Sequence, residues 1–194
     1  MGNVTTVLLC GVGGQGTILA ADLLARVALA AGRDVKVSEI HGMAQRGGAV
    51  TTVVRVGNEV HSMVSDPGSA NIVMAFETTE ALRNLPQLAE GGALIVNNET
   101  IKPLPVLTGR ASMPRNVRER LTEAGGQFIE ASLIARQAGN PKCANVALLG
   151  ALSATLDIPE DIWLEVIASR VPAKTIDANL AAFRGGREAM ERGE

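Results

Sequence analysis

The sequence predicts an α/β fold: a Rossmann-like, mainly parallel sheet with helices on both faces, an inserted β-hairpin and a helical C-terminal region. Three observations predict it. An apolar run (Val4 to Leu9) leads straight into Gly11-Val12-Gly13-Gly14-Gln15-Gly16 and then into an alanine- and leucine-rich run, Ile18 to Ala31. That reads as buried strand, tight turn and helix. Strand-like and helix-like runs then alternate as far as Ala138, and from Ala144 only helical patterns remain.

Each element follows from its residues. Val4 to Leu9 is apolar almost throughout, as a central parallel strand should be. In the turn, Gly11 allows the departure from the strand, Gly13 and Gly14 let backbone approach a bound group, and Gly16 lets the helix pack on the sheet. The helix Thr17 to Ala31 carries Asp22 and Arg26 four apart on its wet face, and Gly32 ends it. Asp34 to Glu39 alternates as a second strand. Ala49 to Val64 reads as a hairpin turning at Gly57-Asn58, with His61 an exposed residue of its return strand, Glu59 to Val64. Ile72 to Phe76 is a short buried strand. Glu77 to Leu88 is helical, with Glu77 and Glu80 favouring its first turn. Ala93 to Asn97 is a strand, and Lys102 to Val106 an extended, proline-rich segment. A helix (Arg115 to Ala124), a strand (Gln127 to Glu130) and a helix (Ala131 to Ala138) follow. Ala144 to Leu156 is small and apolar on nearly every face, so it is buried or lies at an interface with a second copy or a partner chain. Pro159-Glu160-Asp161 starts a helix carrying Trp163, Pro172 interrupts, and a last helix holds Leu180 and Phe183. The tail from Gly185 is charged and expected to fray.

Composition narrows the function classes. The 194 residues fit a single domain over 1–194, and 46% hydrophobic against 20% charged residues makes it globular. Aromatics are 2%, too few for base-stacking platforms, and a net charge of −2 with no basic run leaves no footprint for nucleic acid. No apolar run reaches the roughly 18 residues that span a bilayer, and no signal-like segment opens the chain, so a cytoplasmic protein is expected. Two cysteines, Cys10 and Cys143, are too few for a four-cysteine iron–sulfur cluster, and no zinc-type ligand spacing is present. No metal site is expected on this chain.

Two stretches carry chemistry. The first N–H groups of a helix after a glycine turn suit an anion, and Gln15 adds donors and acceptors at the mouth of that turn. Gly11, Gly13 and Gly16 satisfy G-x-G-x-x-G, and Glu39, 23 residues beyond Gly16, stands where a dinucleotide fold places its ribose-binding acid. The second stretch is Ile40-His41-Gly42-Met43-Ala44-Gln45-Arg46-Gly47-Gly48. It follows the second strand, hence lies at the carboxyl edge where open α/β sheets bind ligands. Arg46 beside Gly47-Gly48 sets a guanidinium fork next to free backbone N–H groups, which can grip a phosphate or carboxylate.

The two loops, in this order and spacing, resemble those of the gamma-type subunits of 2-oxoacid:ferredoxin oxidoreductases. Within that family the form His41-Gly42-Met43-Ala44-Gln45-Arg46-Gly47-Gly48 is most similar to the small (beta) subunit branch of the indolepyruvate enzymes. Asn145 with Leu149-Gly150-Ala151, and Asn179-Leu180-Ala181-Ala182-Phe183, also resemble the family pattern, so the likeness spans nearly the whole chain. It implies oxidative decarboxylation of a 2-oxoacid, transfer of the acyl group to coenzyme A and reduction of ferredoxin. It further implies that thiamine diphosphate, magnesium and iron–sulfur clusters sit on a large (alpha) partner subunit, and that this chain alone binds none of them and is inactive alone. On this reading the loops wall a composite site. Gly11, Gly13, Gly14, Gln15, Gly16, Met43, Gln45, Arg46, Gly47 and Gly48 contact a substrate carboxylate or a coenzyme A phosphate, and His41 orients a neighbour or relays a proton. Two other classes compete: a stand-alone protein binding NAD, FAD or ATP, and a non-catalytic assembly scaffold. The isolated chain is expected to self-associate through its apolar helix.

Overall fold

The computed structural model describes residues 4–41 and 48–193, with His41 described by its backbone only. The elements in order are β1 (Thr5–Val12), α1 (Thr17–Ala30), β2 (Asp34–His41), β3 (Ala49–Gly57), β4 (Ala70–Ala75), α2 (Thr78–Asn84), β5 (Leu88–Asn97), α3 (Leu104–Leu107), α4 (Val117–Glu123), β6 (Gly126–Ile129), α5 (Ala131–Gln137), α6 (Ala144–Ser153), α7 (Glu160–Arg170) and α8 (Ile176–Arg192). The strands form one six-stranded sheet in the order β2-β3-β1-β4-β5-β6. β1, β4, β5 and β6 are parallel. β3 is antiparallel to both of its neighbours, so β2 runs in the same direction as β1 but one strand away from it.

The hairpin is therefore β2–β3, formed one element earlier than the sequence pattern indicated, and Glu59 to Val64 is not a strand. Both edges of β3 are already paired, Val54 with Val7 on one side and with Val37 on the other, which leaves no ladder for a return strand. Side chains hold that segment instead. The Val60 N–H donates to Asp34 Oδ2 at 2.8 Å, and Arg55 Nη1 donates to the carbonyls of Ser62 and Val64 at 2.9 and 2.8 Å. His61 is exposed there, as expected, but in irregular backbone beside Glu59.

One face of the sheet is covered by α1, α5, α6, α7 and α8, the other by α2 and α4. Val7 and Leu9 point into the first layer, Leu8 and Cys10 into the second, which is why β1 is apolar on both faces. Asp22 on α1 bonds Arg26 at 2.9 Å, as its spacing predicted, and also Arg170 of α7 at 2.7 Å.

The apolar helix is buried within its own chain. Every α6 residue from Asn145 to Ser153 is buried, chiefly against α8, so it offers no interface for self-association. The crossing is a backbone contact. A Cβ on Gly150 would lie 1.9 Å from the Phe183 carbonyl oxygen, and one on Gly186 would lie 1.8 Å from that of Ala147. This contact also corrects the expected frayed tail: α8 continues through Gly185-Gly186 to Arg192, because Gly186 and Ala189 are packed there. In the Lys102 to Val106 stretch, the segment expected to be extended contains the single helical turn α3, started by Pro103 and Pro105. No helix among the described residues is long and apolar enough to cross a membrane.

Candidate functional site

The site forms where β1 ends. Gly11 is still within the strand, so it is not the residue that turns the chain. Its missing side chain leaves room instead: a Cβ there would lie 2.7 Å from Gln15 Oε1 and 2.9 Å from Phe76 Cβ. The Gln15 side chain folds into that space. Its Oε1 accepts from the Val12 N–H at 2.8 Å, and its Nε2 donates to the Phe76 carbonyl at 3.1 Å, tying β1 to the end of β4. The turn itself closes with Gln15 N–H to Val12 O at 3.2 Å and opens α1 at Gly16, whose φ is 81°. A side chain at Gly16 would be strained, and its Cβ would meet Asn145 Nδ2 at 2.7 Å. Asn145 is buried and donates to the Gly16 carbonyl at 3.4 Å, so α6 presses against the turn from behind.

The two loops meet at this edge. The Gly13 N–H donates to the Gly48 carbonyl at 2.9 Å, and Val12 pairs with Ala49 across the β1–β3 ladder. Of the second stretch, Gly42, Met43, Ala44, Gln45, Arg46 and Gly47 lie outside the described residues, as does the His41 side chain. The inserted β3 also displaces Glu39. It pairs with Thr52, and Thr52 in turn with Leu9, so a whole strand separates it from β1. A ribose-binding acid belongs on the strand beside β1, so the dinucleotide reading of Glu39 is not supported by this topology.

Beside the turn opens a cleft of about 670 Å³, at the carboxyl ends of β1, β4 and β5. It is lined by Gly14, Gln15 and Gly16, by Asn97 and Glu99, by Ser132 and Arg136 of α5, and by Lys142 and Asn145. Such a crevice is where open sheets of this kind take ligands. The amides of Thr17, Ile18 and Leu19 precede the first intrahelical bond, Ala20 N–H to Gly16 O at 3.0 Å, and no described side chain caps them. The positive end of α1 thus faces this edge, and the exposed cations Arg136 and Lys142 stand at the cleft with no ion-pair partner among the described residues. One carboxylate balances them: Glu99 Oε2 accepts from Asn97 Nδ2 at 3.1 Å and from Ser132 Oγ at 3.0 Å. The donor set suits a phosphate or carboxylate at one end and a hydroxyl or amine at the Glu99 end.

Arg136, Lys142, Glu99 and Ser132 were not legible as site residues. Glu99 follows β5, Ser132 and Arg136 lie within α5 and Lys142 follows it, with no motif spacing. The only sequence signal is their place just beyond strands or at a helix end on the carboxyl edge. Glu77 and Glu80 stay out of the cleft. Glu77 is buried and caps α2, accepting from the N–H groups of Thr79, at 3.0 Å, and of Glu80. Burial pushes the Glu80 carboxyl up, the Glu77 charge adds to this, and Arg83 at 3.1 Å opposes it. The Cys10 thiol donates to the Glu80 carbonyl at 3.6 Å. Burial, then the Glu80 and Glu77 charges, hold it well above its ordinary value. Cys143 is buried on the other side of the sheet, its thiol also raised by burial. Among the described residues no three His, Cys, Asp or Glu side chains could hold a metal ion.

Comparison with known proteins gives a consistent result. Residues 6–189 match the family described as pyruvate ferredoxin/flavodoxin oxidoreductase. The chain is 42% identical over 192 residues to indolepyruvate oxidoreductase subunit IorB of Thermococcus kodakarensis, covering 95% of each. Its fold is similar to that of the gamma subunit of a keto/oxoacid ferredoxin oxidoreductase from Geobacter sulfurreducens PCA, with a TM-score of 0.73, 22% identity and coverage of 97% and 99% of the two chains. It is also similar to part of a 2-oxoglutarate:ferredoxin oxidoreductase from Magnetococcus marinus, solved with 2-oxoglutarate, coenzyme A and succinyl-CoA. There the TM-score is 0.76 at 21% identity, with 97% of this chain matching 31% of that one.

Proposed function

Since the chain belongs to the pyruvate ferredoxin/flavodoxin oxidoreductase family, we propose that it is the small subunit of a complex that oxidises indolepyruvate or a similar aryl pyruvate. The 2-oxoacid loses carbon dioxide, its acyl group passes to the sulfur of coenzyme A, and the electrons pass to ferredoxin. Support for the substrate is the end-to-end likeness to an indolepyruvate oxidoreductase subunit. Thiamine diphosphate, magnesium and iron–sulfur clusters belong to the large subunit in this reading. This chain's two thiols are buried in different layers of the core and do not fit a cluster.

The observation that carries this chain's own role is the cleft beside Gly14 and Gly16. The N-terminal amides of α1, Arg136 and Lys142 hold the phosphates of coenzyme A, and Glu99, kept in place by Asn97 and Ser132, receives a hydroxyl or amine of the same molecule. Gln15 acts mainly by bracing the turn, since both ends of its amide are engaged with Val12 and Phe76. In this reading the second-loop residues Arg46, Gly47 and Gly48 contact the same ligand, and His41 orients a neighbour or relays a proton. The test is a coenzyme-A- and indolepyruvate-dependent dye-reduction assay on the co-expressed complex under anoxic conditions. Arg136→Ala and Lys142→Ala should each raise the KM for coenzyme A about tenfold, the loss of one charged hydrogen bond, and leave the KM for indolepyruvate unchanged. Arg46→Ala should lower activity at least about tenfold. Unchanged coenzyme A kinetics in an assembled complex would remove the cleft from the reaction, and a scaffold would tolerate all three changes.

A further inference from the structure

A second groove, of about 490 Å³, lies on the opposite side of the sheet between α2, α3 and α4. Its floor is apolar, with Leu82, Pro105, Val106 and Met113, and Arg83 and Arg120 flank it. Leu104 and Leu107 of α3 stand beside it 71% and 66% exposed. The charge around it is lopsided. Residues 102–120 carry Lys102, Arg110, Arg115, Arg118 and Arg120 against one acid, Glu119, in a chain whose net charge is −2. Arg118 is engaged, donating to Asn98 Oδ1 at 2.7 Å and lying over the Phe128 ring at 4.2 Å. Lys102, Arg110, Arg115 and Arg120 are exposed and make no side-chain hydrogen bond or ion pair among the described residues. In sequence these cations are spaced too widely to form a basic run. The fold brings one of them, Arg120, onto the groove itself, and Lys102, Arg110 and Arg115 are each chain neighbours of a lining residue, Pro103, Ala111 and Pro114.

We propose that this groove docks an acidic segment of the large subunit, one that also carries apolar side chains. The proposal rests on the subunit role argued above. Two features fix the chemistry of the occupant. The unpaired Arg120 on the rim, in a segment where five cations face one acid, complements carboxylates and steers their approach, while Arg83 is already paired with Glu80 at 3.1 Å. Prolines on both sides of the exposed leucines, Pro103, Pro105 and Pro114, pre-order the groove wall, so little freedom is lost when a partner seats on it. A second copy of this chain does not fit by symmetry, because a two-fold contact through this face would set cations against cations. The near absence of aromatic side chains, 2% of the chain, leaves no stacking surface for a nucleic acid.

The test measures the dissociation constant between this chain and its large subunit by titration calorimetry at low and at high salt. Arg115→Glu with Arg120→Glu should weaken binding at least about tenfold at low salt, with the gap narrowing at high salt. Leu104→Ser with Leu107→Ser should weaken it to a similar degree at both, because salt does not screen apolar contact. Lys174→Glu, an exposed cation elsewhere, should change nothing. All four positions are exposed, so the variants keep the fold, checked by thermal melting. Wild-type affinity in both double variants would overturn the docking site while the subunit role stands. If the wild-type chain binds no large subunit at all, both readings fall. A free chain that sediments as a dimer and becomes monomeric in the variants would assign the groove to a second copy, against this proposal.

Discussion

Gly16→Ala probes the point where turn, helix and cleft meet. Gly16 has φ 81° and ψ 24°, in the left-handed region, where an alanine costs about 1–2 kcal/mol. Its Cβ would also lie 2.7 Å from Asn145 Nδ2 and 3.2 Å from Asn145 Cγ. Both are side-chain atoms, so Asn145 can retreat. Doing so breaks its 3.4 Å bond to the Gly16 carbonyl, a loss of about 1 kcal/mol. The reduced freedom of alanine in the unfolded chain offsets roughly 0.5 kcal/mol. The net expectation is a destabilisation of about 2 kcal/mol, a fall in Tm of about 4–8 °C for a chain of this length. Urea unfolding measures it. Asn145→Ala supplies the control: with the opposing side chain gone, Gly16→Ala retains its backbone cost but loses the collision, so the double variant should be less destabilised than the sum by about 1 kcal/mol. In the assembled complex the same substitution should raise the KM for coenzyme A, since it shifts the start of α1. A cost below about 0.5 kcal/mol, or strict additivity with Asn145→Ala, would refute the claim that Asn145 is wedged against this turn.

Three further outcomes are expected. Gly150→Ala should destabilise by more than about 4 kcal/mol or abolish folding, because its Cβ would lie 1.9 Å from a backbone carbonyl that cannot move independently; a soluble variant with near-native urea midpoint would contradict the α6–α8 contact. Burial raises the Asp22 carboxyl, but bonds from Arg170 and Arg26 outweigh it and hold it below its ordinary value. A depressed folded pKa contributes stability above the unfolded value, about 3.9, which is lost as pH falls through the folded one. So Asp22→Asn should cost about 0.5–1 kcal/mol at neutral pH, a size reduced by exposure, and progressively less as pH falls from the unfolded value through the lower folded one; a pH-independent difference between the two melting curves would refute it. Cys10 and Cys143, buried with raised thiol values, should resist a thiol-labelling dye in the native chain and both react in denaturant, and fast labelling under native conditions would show that a layer of the core opens.

Most of the element pattern could be read from the residues, because it depends on local periodicity and on glycine and proline punctuation. The strand–turn–helix at Val4 to Ala31, the acids that open α7 and the mostly apolar α6 are examples. The errors have a common origin. Glu59 to Val64 alternates like a strand, yet alternation says nothing about whether a neighbouring edge is free, and β3 had none. The stretch from Gly185 looks like a charged tail, yet two glycines that weaken a lone helix are what let α8 pack: Gly186 touches α6 at Ala147 and Gly185 faces Ile134 of α5. Gly11 matched a turn motif, but its place is inside β1, under the Gln15 side chain.

The sequence by itself determined the α/β class, the glycine turn at the head of α1, and a second loop able to join it. Each of these is written in residues close together along the chain. Only the tertiary structure decided that β3 inserts beside β1 and moves Glu39 one strand away. It alone brought Arg136, Lys142, Glu99 and Ser132 to one cleft with the turn, and set Arg83 of α2 and Arg120 of α4 on one apolar groove. Strand order and the meeting of distant side chains depend on which edges and faces remain unpaired once the neighbours have packed, and no local pattern carries that information.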